Sequence, residues 1–405
     1  MKIHAPEIFD PGTDCVQVRA YIEYSGGSDY LWYSITREYS DFLVTENADA
    51  FLVGLLLLAM KHGEDIYIES SISEKLFYNL ENYYTKIIKI LLPNLKRIKI
   101  FPENLNSQTL VQNQNGGVIT GFSSGIDSFC VLSDHLFRNT PHSYKITHLI
   151  CNNVGAFGSG GRELFKIRYA RSKAFATAHN LPFIGIDSNL HDFFVGQGIH
   201  FHSSHFCRNA SAVLSIQKLA RKYLYASAYR YEDCAATPSI YQGSIDPFSV
   251  HLLSTETTEC ISTGCQYSRV EKTMRVSEIS QTYQYLNVCI RNSGLENCSN
   301  CYKCLRTLLT LEIGGKLSLY DKVFSMQRYQ SARTEYLSAI VRSNDAFDKE
   351  IVQMAQDYGY QFPFWCQLLP PQFFKIFPNG IKIRNISSFP QKLKRLFRKL
   401  KTPLN

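Results

Sequence analysis

The chain has 405 residues, 45% of them hydrophobic, and its formal net charge is +8 at pH 7. A chain of this length is expected to form two or three domains, because domains commonly hold about 100–200 residues. Its apolar runs are too short for a membrane span, which needs about 18 consecutive apolar residues. The run FLVGLLLLAM at residues 51–60 therefore predicts a buried helix.

The excess positive charge is concentrated at the C-terminus. From residue 358 onward there are nine basic and no acidic residues: Lys375, Lys382, Arg384, Lys392, Lys394, Arg395, Arg398, Lys399 and Lys401. The rest of the chain is nearly neutral, which makes nucleic acid a less favoured partner of the main body. Leu393, Leu396, Phe397 and Leu400 recur at helical spacing in this tail and predict a basic amphipathic helix. Such a helix would contact an anionic membrane surface or an acidic partner, or pack on the protein itself.

The N-terminal part, residues 1–112, predicts an accessory α+β module. Four strand-like runs and two helical stretches alternate there: strands at 16–24, 30–36, 65–69 and 97–101, and helices at 47–61 and 72–91. The Asn/Gln/Gly-rich segment 106–117 has the composition of a linker. We therefore expect a domain boundary near residue 113.

A short polar loop follows the next apolar run. Residues 118–122 (VITGF) predict a strand, residues 123–128 (SSGIDS) a tight turn, and residues 129–132 the start of a helix. Such a turn presents backbone N–H groups and hydroxyls to an anion. The Lys of a Walker-type phosphate loop does not follow it. Strands and helices then alternate to about residue 226, which predicts an α/β fold with a doubly wound parallel sheet and ligands at its carboxyl edge.

Four cysteines at short spacing predict a metal site. They are Cys289, Cys298, Cys301 and Cys304, in the pattern Cys-x8-Cys-x2-Cys-x2-Cys. Four thiolates with this spacing can hold a structural Zn²⁺. The alternative is scattered buried or disulfide-bonded cysteines. Because no secretory start is visible and the other cysteines are dispersed, we expect a reduced, cytoplasmic protein.

The loop at 123–128 resembles the Ser-Gly-Gly-x-Asp-Ser loop of the ATP pyrophosphatases, or PP-loop enzymes, which split ATP to AMP and pyrophosphate. The cysteine spacing follows this loop about 160 residues later. On these two motifs, residues 116–312 are similar to the 7-cyano-7-deazaguanine synthase family. This chain resembles an extended member, of the kind associated with antiphage defence. The resemblance implies an adenine nucleotide alpha-hydrolase-like fold that uses ATP, Mg²⁺ and Zn²⁺. One departure is Ser124, where the family usually has glycine.

The resemblance also assigns roles to individual residues. It implies catalytic roles for Asp127, Ser128, Lys272 and Arg208. It implies nucleotide contacts from Ser123, Ser124, Gly125, Asp127, Ser128, Asn152, Asn153 and Asn209. Asn152 and Asn153 stand in a segment whose sequence differs from that of the family. By the resemblance, Asn152 or Asn153 would lie near the adenine or ribose. The substrate candidates are Asp246, Glu163 and His202.

His202 belongs to a cluster, HFHSSHFC at residues 200–207, that has the residue types of a metal site. A second metal, a general base acting at neutral pH and a structural role remain open for it.

The implied activity is that of an ATP-dependent carbon–nitrogen ligase. It would adenylate a small carboxylate, by analogy with the family a 7-deazapurine acid, and form an amide or a nitrile with ammonia or an amine, with a partner protein as one acceptor. A homodimer is expected by the same analogy. The predicted organisation is an accessory module at 1–112, the catalytic domain with its four-cysteine site at 113–312, and a helical extension with the basic tail at 313–405. Two alternatives remain: a PP-loop enzyme that thiolates or modifies RNA bases, and a nucleotide-binding protein without catalysis.

Overall fold

The computed structural model describes residues 1–110, 116–157, 161–289 and 296–368. Within these ranges the chain forms an α/β structure around one eleven-stranded sheet. Its strands are β1 (Lys2–Ile3), β2 (Glu7–Phe9), β3 (Cys15–Tyr24), β4 (Gly27–Thr36), β5 (Ile66–Ser73), β6 (Ile100–Asn106), β7 (Gly117–Gly121), β8 (His148–Asn153), β9 (Phe183–Ser188), β10 (Ala220–Ala226) and β11 (Glu259–Thr263).

Twelve α-helices lie within the same ranges: α1 (Asp49–His62), α2 (Glu74–Asn79), α3 (Thr85–Leu91), α4 (Ile126–Leu132), α5 (Arg162–Ala178), α6 (His205–Leu214), α7 (Asp246–Ser249), α8 (Arg269–Ser277), α9 (Tyr302–Ile313), α10 (Met326–Ile340), α11 (Ala346–Asp357) and α12 (Trp365–Leu368). Single π-helical turns at Leu80–Tyr84 and Ser133–Phe137 continue α2 and α4.

The second half of the sheet is parallel. Its strand order is β11-β10-β7-β8-β9, and every neighbouring pair in it runs parallel. The chain thus begins at the centre with β7, moves outward to β9, and then returns to the other side of β7 as β10. Loops after β7 and β10 diverge at this reversal, and ligands of open α/β sheets bind in the resulting crevice. The polar loop at 123–128 lies directly after β7.

Alternate residues of the parallel strands enter two different cores. Ile119, Ile150 and Ile184 belong to the core that contains α1 and α6. Their neighbours Val118, Leu149 and Phe183 belong to the core that contains α4, α5, α8 and α9. The period of two along each strand therefore places helices on both faces of the parallel half.

The N-terminal strands continue this sheet instead of forming a separate one. β4 pairs antiparallel with β9 through Tyr33 with Ser188 and Ser34 with Asp187. Helix α1, which carries the predicted apolar run, is buried along almost its whole length and packs against α6. The predicted boundary near residue 113 lies outside the described residues, as does the basic tail.

Candidate functional site

A cavity of about 430 Å³ lies where the loops after β7 and β10 diverge. Ser123, Gly125 and Asp127 of the polar loop form one side of it, and Ala228 and Tyr229 after β10 form another. Residues 287–289 and the first turns of α9 complete the wall. Segments that are distant in sequence therefore meet at the carboxyl edge of the parallel strands.

The polar loop is held in an unusual backbone conformation. Ser124 has a φ of +59°, in the left-handed region that favours glycine. Its carbonyl oxygen accepts a hydrogen bond of 2.7 Å from the backbone N–H of Asn287. The Ser128 hydroxyl donates to the Gly125 carbonyl oxygen at 3.0 Å. A glycine would adopt this conformation without the steric cost that a side chain adds.

Asp127 is paired with two cations on α8. Arg269 Nη1 lies 2.9 Å from one carboxylate oxygen, and Lys272 Nζ lies 3.3 Å from the other. Although burial alone would raise it, the pKa of Asp127 is held below its usual range by the Arg269 and Lys272 charges. Both carboxylate oxygens of Asp127 thus accept from cations, which ties the loop after β7 to α8.

Lys272 is fully buried behind the loop. Besides Asp127, its ammonium group donates to the carbonyl oxygens of Ser227 at 2.6 Å and Ala228 at 3.4 Å. These two carbonyls directly follow β10. Lys272 thus ties the loop after β7 to the loop after β10, across the point where the strand order reverses.

The lining of the cavity is mainly cationic. It contains four basic side chains, Arg168, Arg269, Lys303 and Arg306, against two carboxylates, Asp127 and Asp345. Asp127 pairs with Arg269, and Asp345 accepts from Arg306 at 3.1 Å. Each lining carboxylate is thus matched by a lining cation, and Arg168 and Lys303 add positive charge beyond these pairs. Such a cavity favours a polyanionic ligand.

Aromatic side chains form another part of the lining. Tyr229 stacks on Phe347 with a centroid separation of 5.2 Å and an interplanar angle of 18°. Phe347 belongs to α11, and the guanidinium groups of Arg269 and Arg306 lie over its ring at 5.3 and 4.7 Å. The C-terminal extension therefore contributes directly to the cavity. Flat aromatic faces beside cations suit a planar, anionic ligand.

Within the described residues, the four cysteines form the one group that could hold a metal ion. The histidine cluster does not form a second such group there. His202 lines the cavity near Tyr241, with ring centroids 5.9 Å apart. His205 also lines it and is hydrogen-bonded to the Tyr225 hydroxyl. Burial, and then the neighbouring His202, lowers the pKa of His205 to about 4, so its ring is neutral at pH 7. Cys207 instead contacts the Tyr84 hydroxyl at 2.7 Å.

The two asparagines that end β8 and the Arg-Asn pair on α6 do not line the cavity. Asn152 donates to Asn209 Oδ1 at 3.1 Å, and Asn153 donates to Asp187 Oδ1 at 2.7 Å. Arg208 is fully buried, and its guanidinium lies 3.8 Å from the Phe194 ring and 3.0 Å from His191 Nδ1. Burial lowers its pKa to about 10, so it remains charged at pH 7.

Two substrate candidates lie elsewhere. Glu163 is exposed on α5 and pairs with Lys166 at 2.8 Å. Asp246 is only 1% exposed, at the start of α7. Burial raises the pKa of the Asp246 carboxyl group well above its usual range. Neither residue lines the cavity, and a direct substrate contact from either remains a prediction.

The four predicted cysteines come together, as the spacing indicated. One sulfur atom from each of Cys289, Cys298, Cys301 and Cys304 lies within 4.8 Å of all the others. Cys301 Sγ is 3.5 Å and Cys298 Sγ 3.9 Å from Cys304 Sγ. Tetrahedral Zn²⁺ with Zn–S bonds of about 2.3 Å requires sulfur separations of about 3.8 Å. The group therefore fits a metal such as Zn²⁺, with no ligand position left for water.

Several lining residues escaped the sequence analysis. Arg269 lies three positions before Lys272 in SRVEKT, so helical periodicity would have placed both on one face of α8. Lys303 lies between Cys301 and Cys304 in CYKCLR, and Arg306 lies two residues after Cys304. The cysteine spacing of this segment predicts a metal site and gives no signal for these two cations. For Phe347 and Asn287 no local signal exists, because only the packing of α11 and of residues 286–289 brings them to the cavity.

The chain matches no protein-family model, no curated protein and no solved structure. Functional inference therefore depends on the geometry of this site. In addition, none of the helices within the described ranges combines the length and apolar character needed to cross a bilayer.

Proposed function

We propose that the protein is an ATP-dependent ligase with a PP-loop fold, related to 7-cyano-7-deazaguanine synthases, that adenylates a planar aromatic carboxylate. The observation that carries the proposal is the cavity at the strand-order reversal, where the Ser123–Asp127 segment faces Arg168, Arg269, Lys303 and Arg306. Backbone N–H groups that open α4 have no intrahelical partners. Together with the cations they would hold the β- and γ-phosphates of ATP.

The proposed reaction has two steps. A carboxylate oxygen of the acid attacks the α-phosphorus of ATP, the bond to the β-phosphate oxygen breaks, and pyrophosphate leaves. Ammonia or an amine then attacks the acyl carbon, and AMP departs with the electron pair of the broken C–O bond. Negative charge builds on the phosphates in the first step, and preorganised cations stabilise it. Asp127 orients Arg269 for this role through one ion pair, and its second ion pair, to the buried Lys272, holds the carboxylate in place.

The aromatic side of the cavity supports a planar acid as substrate. Tyr229, Tyr241, Tyr302 and Phe347 line it together with His202. A 7-deazapurine ring could stack there while its carboxylate meets the cationic side. The acceptor is proposed as ammonia or an amine, including an amine of a partner protein.

RNA thiolation is less well supported by the same cavity. Such chemistry needs a persulfide-forming cysteine at the site. Within the described part of the chain, the lining contains one cysteine, Cys289, and it belongs to the metal group.

The test supplies ATP, Mg²⁺ and 7-carboxy-7-deazaguanine and measures AMP and pyrophosphate by mass spectrometry. We expect both products to depend on the acid and to fall by about 100-fold in Asp127→Asn, the size of effect seen when one electrostatic contact to a transition state is lost. Asp10→Asn is the matched control, since Asp10 also pairs with an arginine but lies on the surface of the N-terminal strands. Tight ATP binding without AMP formation would exclude 7-carboxy-7-deazaguanine as the substrate. Absence of ATP binding would exclude the proposed ligase activity.

A further inference from the structure

We propose that the four-cysteine metal centre and the Ser123–Asp127 loop are energetically coupled: metal occupancy holds the loop in its anion-binding conformation, and bound phosphates tighten the binding of the metal. This inference rests on the proposed ATP site for its second half only. It assigns to the centre a role in positioning the nucleotide loop, beyond holding its own segment folded.

The first connection is a short segment that touches both features. At one end, the backbone N–H of Asn287 donates to the carbonyl oxygen of Ser124 at 2.7 Å. At the other end, two residues later, Cys289 is a member of the metal group. The Cys289 N–H donates to Asn287 Oδ1 at 3.1 Å, which fixes the spacing between the two ends.

The same segment is also hydrogen-bonded to the residue that precedes Cys298. Asn297, the neighbour of Cys298, is 3% exposed. Its side chain accepts from the Val288 N–H at 2.9 Å and donates to the Leu286 carbonyl oxygen at 2.9 Å. Residues 286–289 are thus held from both sides by residues whose positions depend on the cysteines.

Helix α9 begins within the four-cysteine centre. Cys301 is the residue directly before this helix, and Cys304 lies in its first turn. Tyr302 and Lys303, between these cysteines, and Arg306, two residues after Cys304, line the cavity. A metal bound by both cysteines would fix the first turn, and with it the two cations that face the loop.

The conformation of Ser124 gives the coupling a physical cause. A non-glycine residue at a φ of +59° is less favourable than one in the right-handed region. It persists only where surrounding contacts hold it, and the N–H of Asn287 is the backbone contact at its carbonyl group. Loss of the metal would release residues 286–289, and Ser124 would relax away from the geometry that presents its neighbours to phosphate.

The first experiment needs no nucleotide. Hydrogen exchange is compared by mass spectrometry in the metal-loaded protein and after chelation. We expect faster exchange in peptides that cover 121–128 and 285–289, with unchanged exchange across β8. Equal exchange of the loop in both states would overturn the proposal, as would failure of the purified protein to bind Zn²⁺ at one per chain.

The second experiment avoids the metal-free protein, in case its fold is lost. The affinity for Zn²⁺ is measured by competition with a colorimetric chelator, with and without saturating pyrophosphate. Coupled sites obey reciprocity, so we expect Zn²⁺ to bind about 10-fold more tightly with pyrophosphate, within the usual range of allosteric effects. Adenosine, which lacks phosphates, should cause no change. Pyrophosphate binding without any change in Zn²⁺ affinity would overturn the coupling while leaving the proposed function intact.

A matched pair of variants tests the connecting hydrogen bond. Asn287→Pro removes the backbone N–H that donates to the Ser124 carbonyl oxygen. Asn287→Ala keeps this N–H and loses only the side chain. We expect the effect of pyrophosphate to disappear in the proline variant and to persist at least in part in the alanine variant, with one Zn²⁺ bound to each. Persistence of the full effect in Asn287→Pro would contradict this route. If the wild-type protein binds neither ATP nor pyrophosphate, the proposed function fails, and hydrogen exchange alone decides on the link between metal and loop.

Discussion

At the scale of single residues, the site depends on a buried charge with distant partners. Lys272 is fully buried and its ammonium group has three oxygen neighbours, one from Asp127 and two from the carbonyls of Ser227 and Ala228. Removal of one member of such a group costs more than the group contributes, because the remaining polar atoms stay buried without partners. The position is therefore expected to be sensitive to isosteric apolar replacement.

We predict that Lys272→Met lowers the free energy of unfolding by about 2–3 kcal/mol at pH 7, below the usual 3–5 kcal/mol because Asp127 is partly solvated. The pKa of Asp127 is depressed in the folded state, so its stabilising contribution is present above the ordinary aspartate pKa of about 3.9 and is lost as the pH falls through the lower folded value. The cost of Lys272→Met should therefore be smaller at pH 3 than at pH 7.

Urea unfolding at the two pH values measures this difference. Asp127→Asn and the double variant complete a mutant cycle, in which the double variant should lose less than the sum of the two single variants. Equal costs of Lys272→Met at pH 3 and pH 7, or strict additivity in the cycle, would show that the ion pair does not hold Asp127 ionised.

At the scale of elements, α1 is the helix that joins the N-terminal strands to the parallel half. Gly54 lies in its interior, where glycine normally costs about 0.5–1 kcal/mol relative to alanine. A Cβ atom at this position would lie 2.7 Å from the Tyr33 hydroxyl and 3.4 Å from side-chain atoms of Leu190 and Ser211. These three neighbours come from β4, from the loop after β9 and from α6. Close approach, not helix propensity, therefore explains the glycine.

We predict that Gly54→Ala lowers the free energy of unfolding by about 1–2 kcal/mol, the cost of overpacking, although propensity alone would raise it. The Tyr33→Phe background removes the nearest atom, so the same substitution should cost less there. Chemical denaturation of the four proteins in this cycle measures both effects. A stabilising Gly54→Ala substitution in the wild-type background would show that α1 can shift without cost.

At the scale of the whole molecule, the continuous sheet predicts cooperative unfolding. β4 pairs with β9, and the C-terminal helices α10 and α11 pack on α8 and α9. The chain has two tryptophans, Trp32 on β4 and Trp365 on α12. In a variant that keeps one of them, fluorescence therefore reports on the N-terminal strands or on the C-terminal helices.

We predict that the single-tryptophan variants Trp365→Phe and Trp32→Phe unfold with coincident fluorescence transitions in urea, each matching the loss of far-ultraviolet circular dichroism recorded on the same variant. Coincidence of independent probes is the standard test of a two-state transition. An earlier transition reported by Trp32 would show that the N-terminal strands form a module that unfolds separately, as their predicted domain boundary implies.

Local pattern was sufficient for much of the architecture. Alternation of strand-like and helical runs predicted the α/β class, because hydrophobic period is a property of neighbouring residues. The apolar run at 51–60 became part of α1, and the run at 118–122 became β7 with the polar loop directly after it. The Cys-x8-Cys-x2-Cys-x2-Cys spacing likewise predicted a group that short segments can close without help from the rest of the fold.

The composition of the site was decided by tertiary structure. Ser124 could be recognised as a departure from glycine, but its left-handed φ and its contact with Asn287 depend on a segment far along the chain. The pairing of β4 with β9 joined the N-terminal strands to the sheet that carries the site. Arg269, Phe347 and Asn287 reached one cavity because helices and strand ends converged at the reversal of strand order. The sequence by itself thus determined the longer strands and helices, the polar loop and the four-cysteine group, since those depend on local spacing, but not the strands β1, β2 and β11. Only the fold decided which charges and rings face one another, because such contacts join residues far apart in the chain.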